Sequence, residues 1–212
     1  MAEDNDAKQL ALDVGAFATS AIPYIGGPIS NVLSGVGTVR RINRVREVVA
    51  RLARELQELR SVNEEYVKSE EFKELLELAL RQAADERDEQ KRRLYAAFLA
   101  DDIRLPGPSY DEKLRFLRTL EELQPDDLAV LRALGAPPEN NPGSMGSPGQ
   151  TLSRRLTGLD AAHIAELIGQ LNAMRITNLG NLNIMMTGSG AADLRHAITA
   201  YGQRFLKYLN EP

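Results

Sequence analysis

From Val14 to Val39 the chain runs 26 residues without a charged side chain, and it then meets Arg40, Arg41, Arg44 and Arg46. A helix that spans a bilayer needs about 20 predominantly apolar residues, so the run is long enough. Its content does not suit one continuous helix. Pro23, Gly26, Gly27 and Pro28 interrupt its middle, and Gly15, Gly35 and Gly37 thin both flanks. Proline inside a helix removes a hydrogen bond and clashes with the preceding turn. The segment therefore predicts two short apolar helices around an IPYIGGP corner. Such a hairpin can close inside a helical bundle or enter a bilayer, and the residues alone leave both open. The insertion face would comprise Val14, Phe17, Ile22, Tyr24, Ile25, Gly26, Gly27, Ile29, Val32, Leu33 and Val36, with Arg40, Arg41, Arg44 and Arg46 to hold lipid headgroups or phosphate.

The charge is uneven along the chain. Residues 1–39 carry one Lys against four acids, 40–60 carry seven Arg against three Glu, and 61–102 carry seven bases against twelve acids. Only the middle block has the sign that attracts phosphate. Zero Cys excludes disulfides and thiolate metal sites, and fits a reducing cytoplasm. The acidic opening MAEDNDAK lacks the basic start of a secretory signal. With 5% aromatics and no Trp, a core must come from Leu, Ala, Val and Ile.

Helical periodicity organises the first half. Leu10, Val14, Phe17 and Ala21 recur at helical spacing up to Pro23, and Gly27-Pro28 opens a second short helix. A long amphipathic helix follows over about 39–62, with its stripe at Ile42, Val45, Val49, Leu52, Leu56 and Leu59. Its outer face offers the pairs Glu47–Arg51 and Arg54–Glu58. Ser69 with Glu70 and Glu71 starts another helix, whose stripe (Phe72, Leu76, Ala79, Leu80, Ala83) returns at Leu94, Phe98 and Leu99. Between them the polar stretch 85–93, DERDEQKRR, predicts a segment that projects into solvent or meets a polar partner. The two long helices predict an antiparallel hairpin, completed to a four-helix bundle by the apolar pair.

LPGPSY, 105–110, reads as a domain boundary between a bundle over 1–104 and a second domain over 110–212. Helices are expected at about 111–123 and 125–134, then a mobile loop over 135–150, a short helix near 151–157, and a helix capped by Asp160. Two strand-like pieces, 183–187 and 195–199, flank a Gly-Ser-Gly turn and would form a wing before the last helix. The fold class expected is thus mainly α, a four-helix bundle plus a C-terminal winged helix-turn-helix with a two-stranded wing.

Catalytic signatures are missing. Asp160-x-x-His163 has the spacing of half a metal site, but Asp160 is better used as a helix cap; His196 has no partner legible in the sequence. No Ser stands in a nucleophile elbow and no Gly-rich loop carries a Lys. The expectation is no enzyme, no cofactor and no metal. Residues 110–212 hold ten bases and eleven acids, and the candidate recognition helix carries Arg175 against Asp160 and Glu166, so a nucleic-acid footprint is absent. Partners expected are an anionic membrane, further copies of the chain, or another protein.

Three resemblances add to these expectations. ITAYGQRFLKYL, through Ile198, Thr199, Gly202, Phe205, Leu206 and Leu209, resembles the strand-to-helix ending of bacterial winged-helix domains. SAIPYIGGPISNVLSG followed by EEYVKSEEF and ERDEQKRRLYAAFL looks like an uncharacterised family of bacterial helical proteins. In organisation, an apolar Gly-rich pair before amphipathic helices is similar to HeLo-like cell-death effector bundles, which implies membrane permeabilisation after oligomerisation.

Overall fold

A computed structural model describes residues 8–10, 12–14, 16, 25–58, 63–104, 107–138 and 145–209. The chain is mainly helical, with one small antiparallel two-stranded sheet among the described residues. It divides into two compact units, Met1–Glu121 and Glu122–Pro212.

In the first unit, residues 8–10, 12–14 and 16 are helical and Val14 is buried. Helix α1 (Gly26–Val36) carries Pro28 at its third position, where a missing N–H costs nothing, and stops at Gly37 in the left-handed region (φ 64°). Helix α2 (Val39–Glu58) buries Ile42, Val45, Val48, Val49, Leu52 and Leu56 against α4 (Glu70–Asp85) and α5 (Glu89–Arg104). A one-turn helix, α3 (Glu64–Lys68), precedes α4; Ser69 caps α4 by accepting from the N–H of Phe72 at 3.2 Å, as its sequence signal predicts. Helix α1 packs on α4, so its apolar face completes the core.

Three expectations for this unit need correction, the domain boundary among them. The second long arm breaks at residues 86–88 into α4 and α5. The polar stretch around that break does both things expected of it: Asp85, Arg87, Glu89, Gln90 and Arg93 are exposed, and two of its cations meet polar partners within the unit. Lys91 is buried, 2.7 Å from Glu86 and donating to the Glu121 carbonyl at 3.1 Å, while Arg92 bonds Glu47 at 2.8 Å. These two inward cations are satisfied internally, which is what a buried cation requires. Glu47 is thus taken by Arg92, and Arg51 lies 3.8 Å from Glu55 instead of pairing with Glu47. Arg54 donates to the Ala50 carbonyl, and the side chain of Glu58 lies outside the described residues.

The boundary also moves. Helix α6 (Tyr110–Glu122) belongs almost wholly to the first unit, because Lys113, Phe116, Leu117 and Leu120 are buried there. Lys113 donates to Glu71 of α4 at 2.7 Å and lies 2.9 Å from Asp102 of α5. Residues 107–109 are a non-helical link within the first unit, 105–106 lie outside the described residues, and the division falls at residues 121–122.

In the second unit, α7 (Pro125–Gly135), α8 (Pro148–Arg155) and α9 (Ala161–Ala173) pack on one another. Strand β1 (Met145–Gly146) pairs antiparallel with β2 (Met186–Thr187), in register Met145 with Thr187 and Gly146 with Met186. The expected loop over 135–150 therefore already holds β1 and the first turn of α8; its residues 139–144 lie outside the described set. Helix α8 starts earlier than the expected 151 because Ser147 and Gln150 form a reciprocal capping box with Pro148 at the first position.

The expected wing between 183–187 and 195–199 does not form. Thr187 accepts from the N–H of Gly190 at 3.3 Å and caps a short helix, α10 (Gly188–Ala192), so Gly-Ser-Gly begins a helix and is no hairpin turn. Residues 195–197 form a 3₁₀ turn, and Ile198 bridges Thr177. Helix α11 (Ala200–Tyr208) closes the unit, capped by Thr199.

Candidate functional site

The described part of the apolar segment lies mostly inside. Val14, Ile25, Ile29, Val32, Leu33 and Val36 are buried, Gly26 is half-buried and Gly27 exposed; Phe17, Ile22 and Tyr24 lie outside the described residues. The outer face of α1 holds Ser30, Asn31, Ser34 and Gly35, all exposed and uncharged. Asn31 donates to Glu77 of α4 at 3.2 Å. No helix among the described residues is long and apolar enough to cross a membrane.

The four arginines do not act as one cluster. Arg41 lies 2.8 Å from Asp85, and its Nη1 faces the Val36 carbonyl at 3.4 Å. Arg44 donates through Nη1 to the carbonyls of Ala84 (3.0 Å) and Asp85 (3.2 Å). Those are the last carbonyls of α4, which lack helical partners and carry the negative end of its dipole. Two arginines therefore fasten α2 to the end of α4. Arg40 and Arg46 are exposed.

Arg44 and Arg46 also line a surface groove of about 580 Å³ with Asn43, Glu47, Ala50 and Arg92. On α2 the residues 43, 46, 47 and 50 fall at i, i+3, i+4 and i+7, one edge of the helix beside its buried stripe. From α5, Arg92 reaches across to Glu47 through Nε (2.9 Å) and Nη2 (2.8 Å), while its Nη1 donates to the carbonyls of Glu86 (3.3 Å) and Arg87 (2.8 Å). Sequence reasoning missed Asn43 and Arg92. The signal for Arg92 lay in the polar stretch 85–93, where a run too charged to be a core needed an opposing partner.

A second constellation is buried at its centre, at Asp102 and Lys113. Tyr66 donates to Asp102 Oδ2 at 2.6 Å and lies 3.1 Å from Glu71. Lys113 reaches Tyr66 Oη (2.6 Å), Glu71 (2.7 Å) and Asp102 (2.9 Å). The Asp102 side chain is 0% exposed and that of Lys113 6%, against 38% for Glu71. Hydrogen bonding from Lys113 holds the Glu71 carboxyl below its usual range, and burial drives the Tyr66 phenol well above its own. Such a network ties α3, α4, α5 and α6 together. Nearby, burial raises Asp101, with Arg104 at 3.0 Å opposing that effect.

In the second unit Asp160 accepts from the N–H of His163 at 2.8 Å, so it acts as the cap. The His163 ring lies 3.3 Å from Asp126 and 3.6 Å from Glu166, and the Asp126 hydrogen bond raises its pKa. No group of three His, Cys, Asp or Glu among the described residues could hold a metal. A groove of about 830 Å³ runs between α8, α9 and residues 182–185. Met145, Ile184 and Met185 stand exposed in this unit. No family model, curated protein or solved structure matches the chain.

Proposed function

We propose that the protein is a non-enzymatic, membrane-active effector that acts from the cytoplasm and whose N-terminal apolar hairpin leaves the bundle to insert. The observation that carries this is α1 itself. It is a surface helix with an apolar inner face and an outer face of Ser, Asn and Gly, so no charged side chain opposes its transfer to lipid. Leu12, 68% exposed, adds one exposed apolar side chain in the N-terminal segment. Helix α1 has 11 residues, about 16 Å at 1.5 Å per residue, which suits an interfacial helix or one arm of an oligomeric assembly and not a span.

Leaving the bundle exposes Ile29, Val32, Leu33 and Val36, which are buried at rest. At about 1.5–3 kcal/mol per side chain, release costs roughly 6–12 kcal/mol before lipid contact offsets it. A trigger, a membrane or self-association must supply that difference. Because the chain has no Cys, Asn31→Cys with Glu77→Cys gives a clean cross-link between α1 and α4. The expected result is dye release from anionic liposomes that disappears on cross-linking and returns on cleaving a reducible linker. Release that is indifferent to the cross-link, or absent in every oligomeric state, refutes insertion of this hairpin.

A second reading, a soluble oligomeric adaptor, is favoured by the exposed Met145, Ile184 and Met185. The order α7, β1, α8, α9, β2 supports a winged-helix-like second unit, with residues 178–185 as the wing instead of 188–194. The exposed face of α9, with Ala161, Ala162, Ala165, Gly169 and Gln170, brings no cation and suits protein contact better than phosphate.

A further inference from the structure

We infer that the groove between α2 and α5 is a seat for a phosphate group, with Asn43, Arg44 and Arg46 as its donors. Three guanidiniums line it against one carboxylate, Glu47. That carboxylate is engaged by Arg92 through two nitrogens, and the remaining Arg92 nitrogen is held by carbonyls. The Glu47–Arg92 pair is therefore a neutral wall, and the net positive charge belongs to Arg44 and Arg46. Arg44 is half-buried and anchored through Nη1 alone, which leaves Nη2 and Nε without a hydrogen bond among the described residues. Arg46 and Asn43 likewise have no partner among the described residues.

A guanidinium positioned before its ligand arrives loses less freedom on binding, and its fork matches the oxygens of a phosphate. Arg46 adds a second cation from the adjacent turn and Asn43 a neutral donor, while Ala50 supplies a small apolar floor. A terminal phosphate, with oxygens free on several sides, meets these donors better than a bridging phosphodiester. The same chemistry comes from a phosphomonoester lipid headgroup or from a soluble phosphate. Arg40 and Arg41 take no part: Arg41 is paired with Asp85, and neither lines the groove.

The seat rests on the membrane reading for its setting but is tested apart from insertion. The full chain is titrated with inorganic pyrophosphate by calorimetry. It is also floated with vesicles of phosphatidylcholine alone, with phosphatidic acid, and with phosphatidylglycerol at equal surface charge. Pyrophosphate is expected to bind, or phosphatidic acid vesicles to outbind phosphatidylglycerol ones. Arg46→Gln and Asn43→Leu, both at positions with no structural bond, should each weaken binding about tenfold, and Arg40→Gln should leave it within about twofold. Competition between pyrophosphate and phosphatidic acid vesicles supports a seat open to free phosphate; vesicle binding without competition supports the headgroup. Equal losses for Arg40→Gln and Arg46→Gln overturn the seat in favour of diffuse attraction, and so does an absence of binding to every probe. Phosphate binding without dye release would leave the seat intact and refute hairpin insertion alone.

Discussion

Replacing Lys113 by Met removes an ammonium that lies 2.6 Å from Tyr66 Oη, 2.7 Å from Glu71 and 2.9 Å from Asp102, and keeps the volume of the stem. The three neighbours respond differently. Glu71, with its side chain 38% exposed, turns to water at little cost. Asp102, at 0%, has no such route. Breaking a buried pair by removing one partner costs about 3–5 kcal/mol. The Tyr66 hydroxyl still donates to Asp102 at 2.6 Å, which places the expected loss at the lower edge, about 3 kcal/mol. With a urea slope of about 2 kcal/mol per molar, the unfolding midpoint of the first unit should fall by about 1.5 M, read by far-UV circular dichroism. Removing both charges with Lys113→Met and Asp102→Leu should recover most of the loss, since the penalty lies in a buried carboxylate charge deprived of its ammonium and not in a missing contact. Glu71 supplies a pH signature. Its folded pKa is lowered chiefly by Lys113, so its contribution is present above the unfolded value of about 4.3 and is lost as pH falls through the folded one. Lys113→Met should flatten that acid-side loss. A Lys113→Met cost under about 1 kcal/mol, or a double variant no more stable than the single one, would refute this account of the network.

Gly202→Ala should destabilise the second unit by about 2–3 kcal/mol, seen as a lower thermal midpoint, because a Cβ there would stand 2.2 Å from the Ile176 carbonyl oxygen and 2.9 Å from Ile198 Cγ2; an unchanged midpoint contradicts that close approach. Arg175 holds φ 60° after α9, so Arg175→Gly should gain about 1 kcal/mol in denaturant titration, and a loss instead would mean its side chain has a stabilising role. Asp126→Asn should lower the pKa of His163, read by NMR titration. The protonated ring's contribution to stability is present below the unfolded value of about 6.5 and fades as pH rises through the higher folded value; an unmoved titration curve would show that Asp126 does not hold the ring.

Local signals determined most helix positions before any tertiary contact is considered. Ser69, Asp160 and Thr199 cap the helices their spacing announces, and Pro125 opens α7. The ending ITAYGQRFLKYL was legible as one motif, and its glycine has a physical cause in the Ile176 carbonyl packed against it. The capping box Ser147-Pro-Gly-Gln150 was equally written in the chain, but it was hidden by the Gly and Pro around it, which read as loop. The tertiary structure alone decided the rest, because each remaining outcome depends on a partner distant in sequence. Arg92 finds Glu47 across 45 residues, Lys113 finds Glu71 across 42, and Lys91 finds the Glu121 carbonyl across 30. A charged stretch reads as solvated until a partner from elsewhere neutralises it, and helix α6 reads as a new domain until Lys113 is seen bonded into the first. The strands failed for the same reason: two-residue pairings carry almost no periodic signal, and β2 meets Met145–Gly146, far before it in the chain, not the piece that follows. Local caps and apolar stripes depend on neighbours a turn away. The groove proposed to seat phosphate depends on which arginine nitrogens the fold leaves unbonded, and that is settled only when the helices pack.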